Sequence, residues 1–477
     1  MCSDGIAPGP ALRPGLEPRP EELAALLEAA SSFVAGFVTS MEEAPVPEPT
    51  PLGSEELTEL LAPPAEAPGE FGPLLETFGA AAARATETTG PDTFAYFPGG
   101  GLITGAVAEL LSCTVNRYTG LSSMAPALVA MEQSVIRWLC GEFGLPEATA
   151  GGVITTGAST GTLSALLAAR ESLLGGPPHT GVIYVTEHTH LCVAKAARIA
   201  GFPLESLRTV PVDGRQRMDP EAAERLIVAD RAAGRTPFLL VGTAGTTSTG
   251  AVDPLRRLAA TTRAHQLWFH IDAAYGGGFQ LTERGRDRLA GIELADSVVL
   301  DPHKSLFLPY GSGVLLVRDA RPLRAAHRAD ADYLQDLDRT GRLLPDYADL
   351  GTELSRGYRG LRLWLPLQLH GVGAFRTALD EKLDLADVVH RELRTLPGIE
   401  TLPPDLTVLA FRASGGDAVN QRLLEAVHAA GRARLTSTRV QGHHTLRLCV
   451  LNHRTHRTHV DAALKAVRRA AEQVLSS

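Results

Sequence analysis

Phe269-His270-Ile271-Asp272-Ala273-Ala274-Tyr275-Gly276-Gly277 sets an aspartate at the end of an apolar, strand-like run. Further on, Ser297-Val298-Val299-Leu300 reads as another such run and leads into Asp301-Pro302-His303-Lys304-Ser305. Lys304 follows Asp272 by 32 residues (304 − 272), the length of one strand–helix–strand step. The lysine stands out because the chain has 45 basic residues and only four are lysines: Lys195, Lys304, Lys382 and Lys465. Taken singly, a lysine is usually a solvated charge and a strand-end aspartate a turn former. Taken together, at the ends of two strands, they have another meaning.

That pairing is what pyridoxal 5'-phosphate (PLP) requires. A lysine amine forms the Schiff base, and a carboxylate keeps the pyridine nitrogen protonated so that the ring draws electrons. The phosphate needs backbone donors and positive potential. Thr156-Gly157-Ala158-Ser159-Thr160-Gly161-Thr162 follows the strand-like Val153-Ile154-Thr155 and opens a helix, and helix N-termini bind phosphate. This turn is neither Gly-x-Gly-x-x-Gly nor a Walker loop, and by itself it is equally a helix cap. A flat ring also needs two faces covered. His190, past the strand Val182–Val185, and Ala274 are candidates for them.

Outward from these motifs the pattern alternates. Helices are expected over 160–174, 191–200, from Pro220 and from Pro254, with strands at 238–241 and 267–271 between them. Such alternation predicts βαβ units, a mostly parallel sheet and catalytic groups at its carboxyl edge. The expected organisation is a helical N-terminal arm with a proline-rich linker over 1–90, a large cofactor-binding α/β domain over 91–376, and a small C-terminal α/β domain over 377–477. The arm carries one helix near 20–40 and a second near 70–85.

Composition narrows the function classes. The net charge of −9 argues against a basic nucleic-acid footprint. Five widely spaced cysteines (Cys2, Cys113, Cys140, Cys192 and Cys449) suggest neither a disulfide framework nor a zinc site, as in a reduced cytoplasmic protein. No basic-then-apolar leader opens the chain, and no apolar run looks long enough to span a bilayer, so no membrane role is expected. His443, His444, His453, His456 and His459 crowd the C-terminus, but the last three step by three and fan around a helix, so no metal is expected. Cys192 is a reactive thiol only if its pKa is lowered, and otherwise a small apolar residue.

The chain resembles the PLP-dependent group II amino-acid decarboxylases, the family of aromatic amino acid and glutamate decarboxylases, and looks closest to an actinobacterial branch. The resemblance runs from about Ala95 to Thr455. It rests on Ala95-Tyr96-Phe97-Pro98-Gly99-Gly100, Ala125-Pro126-Ala127 with Glu132, Thr243-Ala244-Gly245-Thr246-Thr247, His270–Tyr275, Ala295-Asp296-Ser297 with Pro302-His303-Lys304, Arg356-Gly357-Tyr358-Arg359-Gly360-Leu361, and Leu446-Arg447-Leu448. It implies the PLP-dependent transferase fold (fold type I) and a homodimer whose active site lies at the interface. It assigns Lys304 to the Schiff base, Asp272 to the pyridine nitrogen, and His190 to ring stacking and protonation. Ala158 and Ser159, with His303 nearby, would hold the phosphate. Thr246 would approach the 3-hydroxyl side of the ring. Tyr96, Phe97 and Pro98 would wall the substrate pocket, partly from the other subunit. Tyr333, 29 residues after the lysine (333 − 304), matches the tyrosine that delivers a proton to the α-carbon.

Leu191 and Cys192 replace the small hydroxyl residues that usually follow the histidine, Ser305 replaces the Trp or Gly after the lysine, and the phosphate turn Gly157-Ala158-Ser159-Thr160-Gly161 is unusual in its second half. The implied reaction is decarboxylation of an L-amino acid or amino-acid conjugate, giving an amine or, by coupled oxidative deamination, an aldehyde. β-Elimination from a cysteine S-conjugate in an antibiotic pathway, and a non-catalytic protein that keeps the fold, are the alternatives.

Overall fold

The computed structural model describes residues 16–41, 50–175, 180–328 and 343–476. Its larger sheet holds seven strands: β1 (Gly151–Thr155), β2 (Gly181–Val185), β3 (Leu207–Thr209), β4 (Thr236–Thr243), β5 (Trp268–Asp272), β6 (Ser297–Leu300) and β7 (Gly313–Val317), in the order β1-β7-β6-β5-β4-β2-β3. The pairings among β3, β2, β4, β5 and β6 are parallel, while β7 runs antiparallel to both β6 and β1. The register sets Thr243 beside Asp272 and Asp272 beside Val299.

Both faces of this sheet are covered, which is why its strands read as continuous apolar runs. Alternate residues enter two separate cores, as the two-residue strand period demands. Ile154, Tyr184, Leu240, Ile271, Val298 and Leu316 face one core; Val153, Ile183, Val241, Val299 and Leu315 face the other. Each of the aliphatic side chains among them contributes roughly 1.5–3 kcal/mol on burial. Close backbone packing fixes the turn after β1: a Cβ at Gly313 would lie 2.4 Å from the Gly157 Cα, so only glycine lets β7 pass there.

A second, antiparallel sheet follows: β8 (Ile399–Thr401), β9 (Val408–Ala413), β10 (Thr436–Val440) and β11 (His443–Cys449), in the order β10-β11-β9-β8. Its Phe411, Leu446 and Leu448 pack with Val389, Leu423 and Val467 of the surrounding helices. The long helix Leu361–Leu393 crosses the position expected for the domain boundary. Its two helical segments meet at Gly371, where φ is 72°.

At the N-terminus lie helices Pro20–Ser40, Ser54–Leu60 and Phe71–Ala83. The first corrects a reading of the sequence: by length and composition it is long and apolar enough to cross a membrane, with a mean hydropathy of 1.5. Glu28, Ser31, Ser32, Gly36 and Thr39 break any uninterrupted apolar run, but only Glu28 is charged and the rest are weakly polar, so the average stays high. The helix lies on the surface, with Phe33 meeting Phe78 at a ring-centroid distance of 5.8 Å.

Candidate active site

The carboxyl ends of the parallel strands converge on one pocket of about 420 Å³, lined among others by Phe97, Ala158, Ser159, His190, Asp272, Ala274 and Lys304. Asp272 ends β5, Lys304 lies in the single turn Pro302–Ser305 after β6, and Ala158 and Ser159 open the helix after β1. The chain brings them together because each strand is followed by a short turn at the same edge.

The electrostatics are those of a site built for a cationic ring and an anion. Asp272 is buried, with one oxygen accepting the Ala274 N–H at 3.0 Å. Burial pushes its carboxyl pKa up, and nearby Lys304 opposes the shift. A buried carboxylate is stabilised by a cation set against it, and a protonated pyridine nitrogen is such a cation. Lys304 Nζ lies 3.0 Å from Asp301 Oδ2, while Asp301 Oδ1 accepts the Ala158 N–H at 2.7 Å. Asp301 thus ties the lysine turn to the helix N-terminus that faces the phosphate position. His190 Nδ1 accepts the Cys192 N–H at 3.3 Å, so the ring proton sits on Nε2. Phe97 stacks on Tyr275 (4.5 Å, 28°) and lies between the Lys304 ammonium at 5.3 Å and the Arg447 guanidinium at 4.6 Å.

Other expected residues sit elsewhere. Thr246 turns its hydroxyl to Thr249 Oγ1, 2.9 Å away, and to the Ala251 N–H; Thr247 and Gly245 line the pocket instead. His303 is not among the pocket-lining residues: it donates from Nδ1 to the Ser312 carbonyl at 2.6 Å and faces Asp301 with Nε2 at 3.6 Å. Burial lowers its pKa. Tyr96 is largely exposed, its carbonyl held by Arg447, and Pro98 is buried away from the cavity. Tyr333 lies outside the described residues. The Gly276–Gly278 run leaves room for neighbouring side chains: a Cβ at Gly278 would meet Ser305 Oγ at 2.5 Å, and one at Gly277 would meet Leu300. The thiol of Cys192 is buried, and its pKa is pushed up to about 12, chiefly by burial and then by Asp272.

Sequence reasoning did not single out His188, Thr243, Thr247, Tyr275 and Asp301 as site residues, all of which line the pocket. Thr243, Thr247, Tyr275 and Asp301 lie within quoted motifs, so proximity was the available signal for them; His188 had none. Among the described residues, no group of three or more His, Cys, Asp or Glu side chains could hold a metal ion.

A lysine, a buried aspartate and a helix N-terminus at the carboxyl edge of such a sheet define a PLP enzyme of fold type I. A family model, the pyridoxal-dependent decarboxylase conserved domain, matches residues 79–413. The chain belongs to that family and is a PLP-dependent carboxy-lyase acting on an amino acid. It is 31% identical over 398 residues to an aromatic-L-amino-acid decarboxylase of Bacillus atrophaeus (82% of this chain, 83% of the relative). It is 30% identical over 410 residues to a phenylacetaldehyde synthase of Arabidopsis thaliana (82% and 84%). Among solved structures, Oryza sativa TDC with PLP and tryptamine superposes with a TM-score of 0.91 at 26% identity, covering 96% of this chain and 99% of that one.

Proposed function

We propose that the enzyme decarboxylates an aromatic L-amino acid to its amine, working as a homodimer. One observation carries the substrate class: Lys304 is the sole lysine or arginine among the described pocket-lining residues, while Phe97 and Tyr275 supply aromatic walls. An acidic side chain would need a second cation, whereas a neutral ring needs only apolar surface. The relatives whose names specify aromatic amino acids agree with this reading.

PLP supplies the electron sink that stabilises the carbanion left when CO₂ departs. The protein's own groups do the rest. Lys304 holds the cofactor covalently, Asp272 keeps its ring nitrogen protonated, and the backbone N–H groups opening helix Ala158–Leu173 face its phosphate. His190, with Nδ1 already occupied, presents Nε2–H as a donor for the substrate carboxylate. The proton that completes the amine is assigned to Tyr333 by its match to the family. A second reading, aldehyde formation, is favoured by the phenylacetaldehyde synthase relative, and the two diverge only after CO₂ has left.

The dimer reading rests on apolar surface without a partner in one chain. Leu23, Leu27, Val34 and Phe37 on helix Pro20–Ser40, and Val107, Leu110 and Leu111 on helix Ile103–Val115, are all more than two-fifths exposed. Contiguous exposure of this kind marks an association surface.

The test is product analysis. Purified enzyme is incubated with tryptophan, tyrosine, phenylalanine, glutamate and a cysteine S-conjugate, and headspace CO₂, amine, aldehyde and pyruvate are measured. Aromatic amine with matching CO₂ is expected. Turnover of glutamate alone, or pyruvate and thiol without CO₂, would overturn the reading. Light scattering should give twice the 50.5 kDa chain mass.

A further inference from the structure

The pocket contains a second histidine that the reaction described above does not use. His188 is 7% exposed and lines the cavity two residues before His190. Its Nε2 lies 2.9 Å from the side-chain carbonyl oxygen of Gln216. With Gln216 accepting, the ring proton sits on Nε2 and Nδ1 keeps its lone pair. Nδ1 has no hydrogen-bond partner among the described residues. Among the described residues Gln216 is the only partner of the ring, and it is not part of the cavity lining. The free nitrogen therefore belongs to the side of the ring that borders the pocket.

Gln216 reaches this position at a conformational cost. It is 2% exposed and has φ at +65°, the left-handed region that a side chain such as glutamine rarely adopts. It sits in a tight turn between the bridged residues Val212 and Met218. The turn is closed by Gln216 N–H to the Asp213 carbonyl at 2.9 Å, and by the Asp213 carboxylate accepting the N–H groups of Arg215 and Arg217. Asparagine, aspartate or glycine would satisfy such a turn with less strain. Strain of this kind persists where the side chain has a task. Here the side chain goes to His188.

A third group points to the same place. Thr243 lines the pocket and is 3% exposed, and its hydroxyl oxygen is buried without a hydrogen-bond partner among the described residues. Buried polar atoms of this sort are normally satisfied, and this one belongs to a residue of the cavity lining, where a bound ligand can supply the partner. His188 follows β2 and Thr243 ends β4, neighbouring strands on the side of the sheet remote from β1.

Topology identifies the ligand atom. The phosphate position lies at the end of β1, the lysine follows β6, and Asp272 ends β5. In PLP the ring carbon bonded to the lysine-linked carbon is flanked on one side by the carbon carrying the phosphate arm and on the other by the carbon carrying the 3-hydroxyl. With the phosphate toward β1, the 3-hydroxyl edge would be turned toward β4 and β2, the side on which Thr243 and His188 line the pocket.

We propose that His188 accepts a hydrogen bond from the 3-hydroxyl of PLP, with Thr243 as the second polar contact and Gln216 as the positioning residue that holds the imidazole in the accepting tautomer. The arrangement favours the form of the bound cofactor that carries its proton on the 3-oxygen over the form that carries it on the lysine-derived nitrogen.

These two forms absorb in different bands, so the test does not depend on turnover. The ratio of the near-ultraviolet band of the 3-hydroxyl form to the visible band is measured at fixed pH in the PLP-loaded enzyme. PLP content is measured separately after denaturation. Gln216→Gly is the informative variant, because glycine relieves the strained φ while removing the amide. It should melt no lower than the wild type and keep its PLP, yet its band ratio should fall roughly five-fold, the factor one net hydrogen bond carries. His188→Phe should lower the ratio by a similar factor, and the double variant should fall no further than either single one. The proposal is overturned if the wild type shows no near-ultraviolet band, if Gln216→Gly retains the wild-type ratio, or if the two changes simply multiply. Loss of PLP from Gln216→Gly with an unchanged spectrum in the remainder also overturns it, and would mark Gln216 as purely structural. A failure of PLP to bind the wild type at all would instead refute the cofactor assignment.

Discussion

Glu132 and Arg356 form a buried ion pair whose loss should be expensive. Their side chains are at most 2% exposed, and the guanidinium meets both carboxylate oxygens, one of them at 3.1 Å. Arg356 also donates to the Ile154 carbonyl at 3.1 Å, in the strand that leads to the phosphate turn, and lies 4.7 Å over the Tyr347 ring. Glu132→Gln removes the charge and leaves the guanidinium buried without its counter-ion. Breaking one side of such a pair costs about 3–5 kcal/mol. If the 477-residue chain melts as one unit, its unfolding entropy is about 1 kcal/mol per kelvin, so Tm should fall by roughly 3–5 °C. Calorimetry of the PLP-loaded protein measures this directly. The double change Glu132→Leu with Arg356→Met should recover part of the loss, because no charge is then left unpaired. A Glu132→Gln melt within about 1 °C of wild type, on the same entropy scale, would refute the reasoning and show that water or a neighbouring dipole compensates the arginine.

Three further outcomes are expected. Asp272→Asn should keep the fold and bound PLP but lose turnover by roughly 10²-fold, since an opposed charge is worth 1–3 pKa units to its partner; near wild-type turnover at full PLP content would disprove its role. Burial pushes His270 down to about 4 and His453 down to about 3, while an unfolded histidine titrates near 6.5. With the folded pKa depressed, stability is intact above 6.5 and is lost as pH falls toward 4, on the order of 3 kcal/mol for His270; His270→Asn should flatten the dependence of Tm on pH across that window. Tyr333→Phe should still release CO₂ but shift product from amine toward aldehyde, because general acids contribute about 10²–10⁴-fold to such proton transfers; an unchanged amine yield by mass spectrometry would exclude Tyr333 as the donor.

The carboxyl-edge motifs were legible because they are local: a strand, then a turn, then a polar residue. Asp272 and Lys304 needed only that grammar, whereas Ala158, Ser159 and His190 took their roles from the resemblance to the family. Thr246 and Thr247 show its limit. They are adjacent and chemically identical, and the choice between them is made by Thr249 and the Ala251 N–H, which capture the first hydroxyl. His188 was invisible for a related reason, since its partner Gln216 is 28 residues away and is turned inward by a backbone conformation that residue type does not predict. The antiparallel insertion of β7 between β1 and β6 was equally hidden, because Gly313–Val317 is an apolar run whose direction local pattern does not encode. Pro366 and Gly371 are both helix-breaking residues, but only Gly371 leaves helical geometry and separates the two segments of Leu361–Leu393. At Pro366, packing of the neighbouring Leu363 and Leu367 against the main core outweighs propensity.

The departures at Leu191, Cys192 and Ser305 can now be separated by where their side chains go. Leu191 is 71% exposed and is not among the pocket-lining residues. Ser305 is buried, but its hydroxyl accepts the Gly278 N–H at 3.0 Å, behind the lysine turn. Cys192 alone of the three lines the pocket, and its thiol, pushed up to about 12, stays protonated at neutral pH. A protonated, buried thiol is neither base nor nucleophile, so it fills space as a small apolar side chain. None of the three therefore adds an acid or base that would draw the reaction toward elimination. What separates amine from aldehyde is the fate of the carbanion after CO₂ leaves, and that depends on how soon a proton reaches it relative to oxygen. The substitutions that first look like a change of chemistry leave the outcome to the proton donor.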